Sequence, residues 1–588
     1  MSTPRPEPEP SSPAGRARAP WLPRLALFAL LALSFGLRAP AVDHGMPRNY
    51  LPDTHIVRSA LGMTQDLDPV PPVDKYSSYP NLLPYTLIPV YVTHFAVGWV
   101  RGDWANPQEY RQLVAVFPDG VHQIGRWLIL LFGLATPWVV LRAGRAAGLG
   151  AGAWAAAAFV ATGLMHLHFS VQERPWVPMV FFAALAAWPA ALYQGEARLR
   201  WLLWSGVWAA CSAACHQSGF FVLALPGLAW ALAPGGWSGA ELVRRLKHGF
   251  SCVGLFALVV LAVGYPAYLR YGIPEASQDA GSGELFAIGG QGIDFGRRWE
   301  SLPILAKAFF GHEPILSLLA LPGLFLLWRL PRARPVLLFT VLWAAFFMTH
   351  SNPHVRYLLP VAVLLALPAG AAVEALWRRG VALRAVAILL CALPLVQAAR
   401  LSTLLSREDL RSDAERVVAE LPPGSLVAID RYGPACDLDR ESLETLLELR
   451  TAAGSMLYLR EGLRLKALKA ELLSGGAHAV RLEDLFDIDE LAGTVKPRRG
   501  LEDRLGPDVE SAFERLGVTH FLLVNRLAEG TEGSLLAGFV EGRVPQRVLR
   551  PYAESAGGEA RLPVELGFPL TSIWRLERPG PWMALYEL

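Results

Sequence analysis

The sequence predicts a polytopic α-helical membrane protein of about eleven transmembrane helices, followed by a soluble α/β domain at the C-terminal end. Hydrophobic residues make up 53% of the 588 residues and charged residues only 18%, which is too apolar for a soluble enzyme of this size. After Arg400 the composition becomes that of an ordinary soluble protein. The formal net charge of +3 is too small to indicate a basic surface for nucleic acid, so no nucleic-acid partner is expected.

Three regions follow from this composition. Residues 1–20 are rich in Pro, Ser, Ala, Arg and Glu, without apolar periodicity, and predict a disordered cytoplasmic tail. Residues 21–400 are predicted to form the transmembrane domain, and residues 401–588 an extracytoplasmic α/β domain. The first apolar segment follows a basic flank, so it sends the chain outward whether or not it is cleaved like a signal peptide.

The arginines decide the topology. The eleven predicted spans lie at about 21–37, 121–141, 150–167, 175–193, 201–215, 219–233, 249–268, 313–330, 335–349, 355–376 and 381–399. Counting 82–100 as a further span would put the arginine clusters outside, whereas a helix lying along the interface puts them all inside. We therefore predict an inner-membrane protein with its N-terminus in the cytoplasm and its C-terminal domain outside, in the periplasm.

The region after Arg400 alternates between strand and helix patterns. Strands are predicted at Ser425–Asp430, Thr519–Asn525 and Trp582–Glu587, and helices over most of Ser442–Leu473 and at Asp508–Leu516. These elements predict a small α/β domain.

Three segments between the spans carry the residues suited to chemistry. They contain Asp53, the pair Glu173 and Arg174, and the run from His350 to Arg356. A carboxylate beside a membrane can take a proton from an acceptor while cations hold a phosphate. This combination favours transfer chemistry on a lipid-linked phosphate substrate, and the bilayer itself is then a partner.

Each of these residues also has a structural interpretation. Asp53 could cap the helix that follows it, and Glu173 could cap the helix that begins near Pro175 or pair with Arg174. Arg356 could be an arginine reaching to the interface. His350 and His354 are four residues apart, so a shared divalent cation stays open as a cofactor, although no metal site is assigned.

Several motifs occur in an order that resembles a known superfamily. They are Gly45-Met46-Pro47, Pro52-Asp53, Ala60 to Met63, Asp66-Leu67-Asp68-Pro69, Tyr79-Pro80-Asn81-Leu82-Leu83-Pro84-Tyr85, Gln172-Glu173-Arg174-Pro175-Trp176 and Arg356-Tyr357-Leu358-Leu359-Pro360. Over roughly residues 20–400 the chain resembles the GT-C glycosyltransferases. The nearest branch contains protein O-mannosyltransferases and the aminoarabinose transferase of lipid A.

The resemblance implies inverting transfer of a sugar from a polyprenyl phosphate to an envelope lipid, glycan or protein at the outer membrane face. It implies Asp53 as catalytic base, and we add Glu173 as a second catalytic candidate. The candidates for binding the donor phosphate are Arg356, Lys75, Arg174 and His216, and the supporting candidates are His55, Tyr79, His350 and His354.

The chain departs from the family pattern at three points. Thr54 follows Asp53 where the family commonly has glutamate, the Glu173 element is one residue shorter, and His216 stands where the family has a lysine. Two other functions stay open: a non-enzymatic flippase or transporter of lipid-linked sugars, and a degenerate family member with a binding role. The Gly-rich segment from Gly281 to Gly296 is interpreted either as a lid over the donor or as a flexible loop.

Overall fold

The predicted fold class is confirmed by a computed structural model, in which a bundle of apolar helices precedes a C-terminal α/β domain. The structure describes residues 21–46, 48, 55–72, 75, 79–235, 237–272, 284–288, 291–294, 296–351, 353–489, 493–526, 530–532, 534–553 and 572–588. The predicted disordered tail at 1–20 lies outside these residues.

Seventeen α-helices occur among the described residues up to Leu405. They are α1 (Leu22–Arg38), α2 (His55–Asp66), α3 (Leu82–Arg101), α4 (Pro107–Val116), α5 (Asp119–Ala147), α6 (Ala151–Thr162), α7 (Leu164–Ser170), α8 (Trp176–Glu196), α9 (Leu199–Ala213), α10 (Ala224–Ala231), α11 (Gly239–Val259), α12 (Pro266–Tyr271), α13 (Ser301–His312), α14 (Pro314–Trp328), α15 (Arg334–Met348), α16 (Leu359–Arg378) and α17 (Val381–Leu405). The described part of the Gly-rich segment forms a hairpin of β1 (Glu284–Ile288) and β2 (Gln291–Asp294), while residues 281–283, 289–290 and 295 lie outside it.

Eight helices in the described part of the chain are long and apolar enough to cross a membrane. A ninth is present if α13 and α14, which meet at 108°, count as one broken span. The spans predicted at 150–167, 201–215 and 219–233 correspond instead to shorter helices, because α6, α9 and α10 have 12, 15 and 8 residues. Gly163, with extended backbone angles, separates α6 from α7 and explains the first of these differences.

Helix α3 is long and apolar enough to cross the membrane, yet its contacts lie at one end of the bundle. The backbone N–H of its first residue donates to the carbonyl of Ala214, beyond the end of α9, and the Tyr91 hydroxyl donates to the carbonyl of Val121 in the first turn of α5. The following helix, α4, packs against the C-terminal domain. These contacts favour a position along the interface, which stays a prediction.

The arginines predicted to share one side of the membrane lie together at one end of the bundle, here called the arginine end. Arg142 stacks on Trp188 near the end of α8, and Arg145 stacks on Trp154 at the start of α6. Arg332, between α14 and α15, lies against Gly195 in the last turn of α8. Because α5 and α8 begin at the opposite end, that opposite end carries the loops with the candidate site.

Thiol labelling is expected to place the arginine end inside the cell. In a cysteine-free background, Arg244→Cys and Arg332→Cys should resist a membrane-impermeant maleimide in spheroplasts and react only after permeabilisation. Met456→Cys, at an 87% exposed position of the C-terminal domain, is the matched control and should react at once. Labelling of Arg244→Cys in intact spheroplasts would contradict the arginine-based topology.

Helix α16 is central to the bundle and packs on both α6 and α14. Small residues let the backbones approach closely, as is common between membrane helices. A methyl group added at Gly323 of α14 would overlap the carbonyl oxygen of Pro368, and one at Gly370 would overlap the carbonyl oxygen of Gly152 in α6. Helix α16 is therefore fixed from two sides at mid-length.

The C-terminal domain contains the predicted strands and helices. Its elements are α18 (Leu410–Ala419), β3 (Val427–Ile429), α19 (Arg440–Ala452), α20 (Leu459–Lys469), β4 (Ala479–Arg481), α21 (Leu482–Leu485), β5 (Phe486–Asp489), β6 (Thr494–Pro497), α22 (Glu502–Leu505), α23 (Val509–Leu516), β7 (His520–Asn525), β8 (Arg547–Leu549) and β9 (Trp582–Glu587). The main sheet has the order β4-β3-β7-β9-β8, with β4, β3 and β7 parallel and the other two pairings antiparallel. Gly454, at φ 68°, lies in the break between α19 and α20 within the region predicted as mostly helix.

This domain sits on the end of the bundle opposite the arginine end. Arg48, in the first loop, donates to Glu415 at 2.9 Å and to Asp437 at 2.6 Å. Arg400, near the end of α17, donates to the backbone carbonyls of Ile573 and Leu576. The soluble domain therefore covers the loops that connect the spans at this end.

Candidate functional site

Asp53 and Thr54 lie outside the described residues, so the catalytic role of Asp53 stays a prediction. The helix expected after them is confirmed, since α2 begins at His55. The His55 ring packs edge-on against Tyr79, with 5.3 Å between the ring centroids. Tyr79 in turn lies 5.3 Å from the ring of His216.

Residues from distant loops form an aromatic cluster, defined here as Tyr79, Trp176, His216 and Tyr357. The rings of Trp176 and His216 lie 4.1 Å apart, and those of Trp176 and Tyr357 lie 5.3 Å apart. Trp176 begins α8, His216 follows α9, and Tyr357 precedes α16. Tyr79, Trp176 and Tyr357 each belong to a different motif of the resemblance, and His216 stands where the family has a lysine. These four positions therefore lie together in the fold.

Arg356 lies beside this cluster. Its guanidinium carbon is 5.4 Å from the Trp176 ring centroid and 5.6 Å from that of Tyr357. Its Nε atom is buried and makes no hydrogen bond to any residue that the structure describes. A buried cationic donor of this kind is costly unless an anion binds it, so the arrangement suits a phosphate ligand.

Further positive charge surrounds His354. Burial, followed by the charges of Arg356, Arg526 and Arg174 in that order, lowers the pKa of His354 to about 3. Arg174 is almost fully buried, and Arg526 follows β7 in the C-terminal domain. The rings of His350 and His354 both lie 5.9 Å from that of Tyr357. The neighbourhood of the aromatic cluster is therefore strongly cationic.

Lys75 has a different placement from the other predicted phosphate ligands. Its ammonium group forms an ion pair with Asp66 at 2.6 Å and is largely exposed. The donor-binding role of Lys75 stays a prediction.

Glu173 is buried and pairs with His122 of α5. Its two oxygens lie 2.7 Å and 2.8 Å from Nδ1 of His122. Pro175, and not Glu173, occupies the N-cap of α8. The pair ties the start of α5 to the loop before α8, which favours a positioning role over a catalytic one.

Removing the Glu173 side chain is expected to destabilise the protein. Glu173→Ala should lower the free energy of unfolding by about 1.5–3 kcal/mol, because a buried charged hydrogen bond is lost. Thermal unfolding in detergent would measure this, and Glu173→Gln, which keeps the shape, is the matched control. Unchanged stability of Glu173→Ala together with loss of transfer would instead support the catalytic role.

His216 stands where the family has a lysine, and it does not replace the charge. Burial, followed by the charge of Arg356, lowers the pKa of His216 to about 3. Its Nδ1 accepts the backbone N–H of Ser218, so the neutral ring carries its proton on Nε2. His216 can therefore donate a hydrogen bond to a ligand but brings no positive charge.

This neutral histidine should make stability depend on pH. In the unfolded chain the pKa returns to 6.5, so the stabilisation is complete above that pH and is lost as the pH falls towards 3. Between pH 7 and pH 5 the expected loss is about 2 kcal/mol. His216→Asn keeps the cap of Ser218 and should reduce the loss by that amount, whereas the part of the loss that comes from His354, whose pKa is also lowered, should remain. An unchanged slope in His216→Asn would show that His216 is not the source.

Two residues near the site have no sequence signal that predicts a place there. His122 sits in an ordinary apolar helix pattern, and Arg526 lies in the soluble domain, so no motif marked either. The histidines at 166 and 168 face different partners, Arg38 and Gln172. Within the described ranges, no group of three or more His, Cys, Asp or Glu side chains is arranged to hold a metal ion.

The sequence matches no model of a known protein family and no curated protein. Solved structures do match. The oligosaccharyltransferase AglB from Archaeoglobus fulgidus, in complex with an inhibitory peptide and a dolichol-phosphate, is 12% identical over 92% of this chain and 74% of its own, with a TM-score of 0.44. ArnT from Cupriavidus metallidurans is 16% identical over 69% of this chain and 81% of its own, with a TM-score of 0.44.

A third match is the protein O-mannosyltransferase complex Pmt1-Pmt2 of S. cerevisiae, 18% identical over 42% of this chain and 33% of its own, with a TM-score of 0.29. All three are GT-C glycosyltransferases, the superfamily that the motifs resemble. At these identities and TM-scores the likenesses identify neither the donor nor the acceptor nor the catalytic residues of this chain.

Proposed function

We propose that the protein is a membrane glycosyltransferase. It transfers a sugar from a polyprenyl-phosphate donor to an acceptor of the cell envelope, at the outer face of the cytoplasmic membrane. The observation that supports this most is the meeting of Tyr79, Trp176, His216 and Tyr357, since these four residues belong to separate elements of the resemblance.

The proposed reaction needs a base and an anion-binding group. Asp53 takes the proton of the acceptor hydroxyl, whose oxygen forms the new bond to the anomeric carbon. The bond from that carbon to the phosphate oxygen breaks, and the lipid phosphate leaves with the electron pair. Arg356, supported by Arg174, stabilises the negative charge that develops on the phosphate. Attack opposite the leaving phosphate inverts the anomeric carbon.

The arrangement of charge favours an enzyme over a transporter. A transporter is expected to hold ionisable groups and broken helices near the middle of the membrane. Here Arg356, His216 and Glu173 lie at the ends of α16, α9 and α7, on the side that the soluble domain covers. One feature fits the transporter better: the break between α13 and α14 carries the buried Glu313, which accepts the backbone N–H of Met165 at 3.0 Å.

A transfer assay separates the two functions. Membranes from cells with and without the protein would be incubated with radiolabelled polyprenyl-phosphate sugars, and label in lipid, glycan and protein fractions would be counted. The proposal expects label to move into one fraction only when the protein is present. Movement of the intact labelled lipid between leaflets without any transfer would support the transporter instead.

A further inference from the structure

The C-terminal domain contains a charged cavity that the proposed transfer does not use. Its volume is about 660 Å³, within the range of roughly 300–1,000 Å³ that is typical of ligand sites. It lies between α20, the β5–β6 hairpin and the loop after β3. The loop after β3 is at the carboxyl edge of the parallel strands, where open α/β sheets commonly bind ligands.

The wall of this cavity is rich in charge but balanced. Five basic and five acidic residues line it. Several pair with each other: Arg481 donates to Glu461 at 3.0 Å and to Asp484 at 2.8 Å, and Arg498 lies 3.7 Å from Asp487. A wall that offers many donors and acceptors without net charge suits a neutral ligand with many hydroxyl groups.

One carboxylate oxygen of Glu461 can accept a further hydrogen bond. Its Oε1 accepts from Arg481, whereas its Oε2 is buried and accepts from no residue that the structure describes. An unsatisfied buried carboxylate oxygen is costly, and a ligand hydroxyl would satisfy it. Tyr458, which precedes α20, adds an aromatic ring at the same cavity and is 46% exposed. Such a ring can pack against the C–H face of a sugar.

Two arginines lie over the ring of Tyr432 beside the cavity. Arg431, which lines the cavity, and Arg526 both lie over the ring of Tyr432, at 4.8 Å and 5.0 Å from its centroid. Tyr432 has a φ of 67°, an unfavourable conformation for a residue with a side chain. Arg526 acts electrostatically on His354 beside the aromatic cluster. The stack of Arg431, Tyr432 and Arg526 therefore extends from the cavity towards the candidate site.

We propose that this cavity binds a neutral oligosaccharide, with Glu461 accepting from ligand hydroxyls and Tyr458 stacking on a sugar ring. We identify the bound oligosaccharide as part of the acceptor, and this identification rests on the proposed transferase function. The binding itself does not, because the cavity residues are separate from Asp53 and Arg356.

Binding to the full-length protein tests this directly. The protein in lipid nanodiscs would be applied to an array of neutral, acidic and amino oligosaccharides together with a peptide library, and affinities for the retained glycans would be measured by titration. We expect neutral oligosaccharides to bind. Tyr458→Ala should weaken binding about two- to tenfold through lost stacking, and Glu461→Gln about tenfold or more through a lost charged hydrogen bond.

Glu444→Gln is the matched control, because Glu444 pairs with Arg440 and Lys469 on an exposed surface away from the cavity. Its affinity should equal that of the unmodified protein, and thermal unfolding should verify that each variant is folded. No retained neutral glycan, a preference for acidic glycans or peptides, or equal affinity in all three variants would each overturn the proposal. Asp53→Asn should keep the binding while losing transfer. Glycan binding by the unmodified protein without any transfer would contradict the transferase function alone.

Discussion

Asp53→Asn is expected to reduce the rate of sugar transfer by about 10²-fold or more while leaving donor binding near normal. Asparagine keeps the size and hydrogen-bonding capacity of the aspartate but cannot take a proton. The loss should therefore appear in turnover and not in the affinity for the polyprenyl-phosphate donor. Single-turnover rates at saturating donor, together with equilibrium donor binding, measure the two quantities separately.

Asp43→Asn is the matched control for this substitution. Asp43 lies in the same loop, is exposed, and accepts from Gln123 at 2.7 Å. If a general carboxylate effect at the membrane surface were responsible, both variants would lose activity alike. Retained transfer in Asp53→Asn would exclude Asp53 as the base, even if the protein proved to be a glycosyltransferase.

Arg356→Ala should weaken donor binding and slow transfer together, with donor affinity falling about ten- to a hundredfold. The guanidinium is proposed to contact the phosphate both before and during bond breaking, so its loss affects the ground state and the transition state. Donor binding by the purified protein and transfer rates below saturation would measure this. Arg356→Lys should recover only part of the affinity, because lysine does not reproduce the two parallel hydrogen bonds of arginine.

Arg297→Ala provides the comparison for Arg356→Ala. Arg297 also lies over an aromatic ring at the same end of the bundle, 4.1 Å from the centroid of Phe346, but it is exposed. Its removal should leave donor binding unchanged. Unchanged donor binding in Arg356→Ala would move the phosphate contact to Arg174, the other buried guanidinium near His354.

The fold class and most element positions could be predicted because they depend on local patterns. Apolar length marks the spans, and the short apolar run within Thr519–Asn525 predicted β7 within one residue. Helix breaks were harder, since Gly163 divides an apolar run that looks continuous in the sequence. Composition alone does not show that such a run folds as two helices.

The site was predicted in part. Trp176 and Tyr357 came from motifs, and the structure brings them into contact across 181 positions of sequence, from 176 to 357. The pairing of Glu173 with His122 depends on how α5 meets α8, which local sequence does not encode. The pairing favours a positioning role for Glu173, while the catalytic roles of Glu173 and Asp53 both stay predictions.

The glycine contacts of α16 bear on how much the site must move during a reaction. Arg356 lies just ahead of this helix, and its neighbours Gly323 and Gly152 leave no room between the backbones at mid-length. Because α16 is tightly packed, the Arg356 guanidinium is already oriented before a ligand binds. Little free energy is then needed to reorient it as charge develops on the ligand. The close contact also leaves no space for larger side chains, so substitutions at these glycines should displace Arg356 from its place in the proposed site.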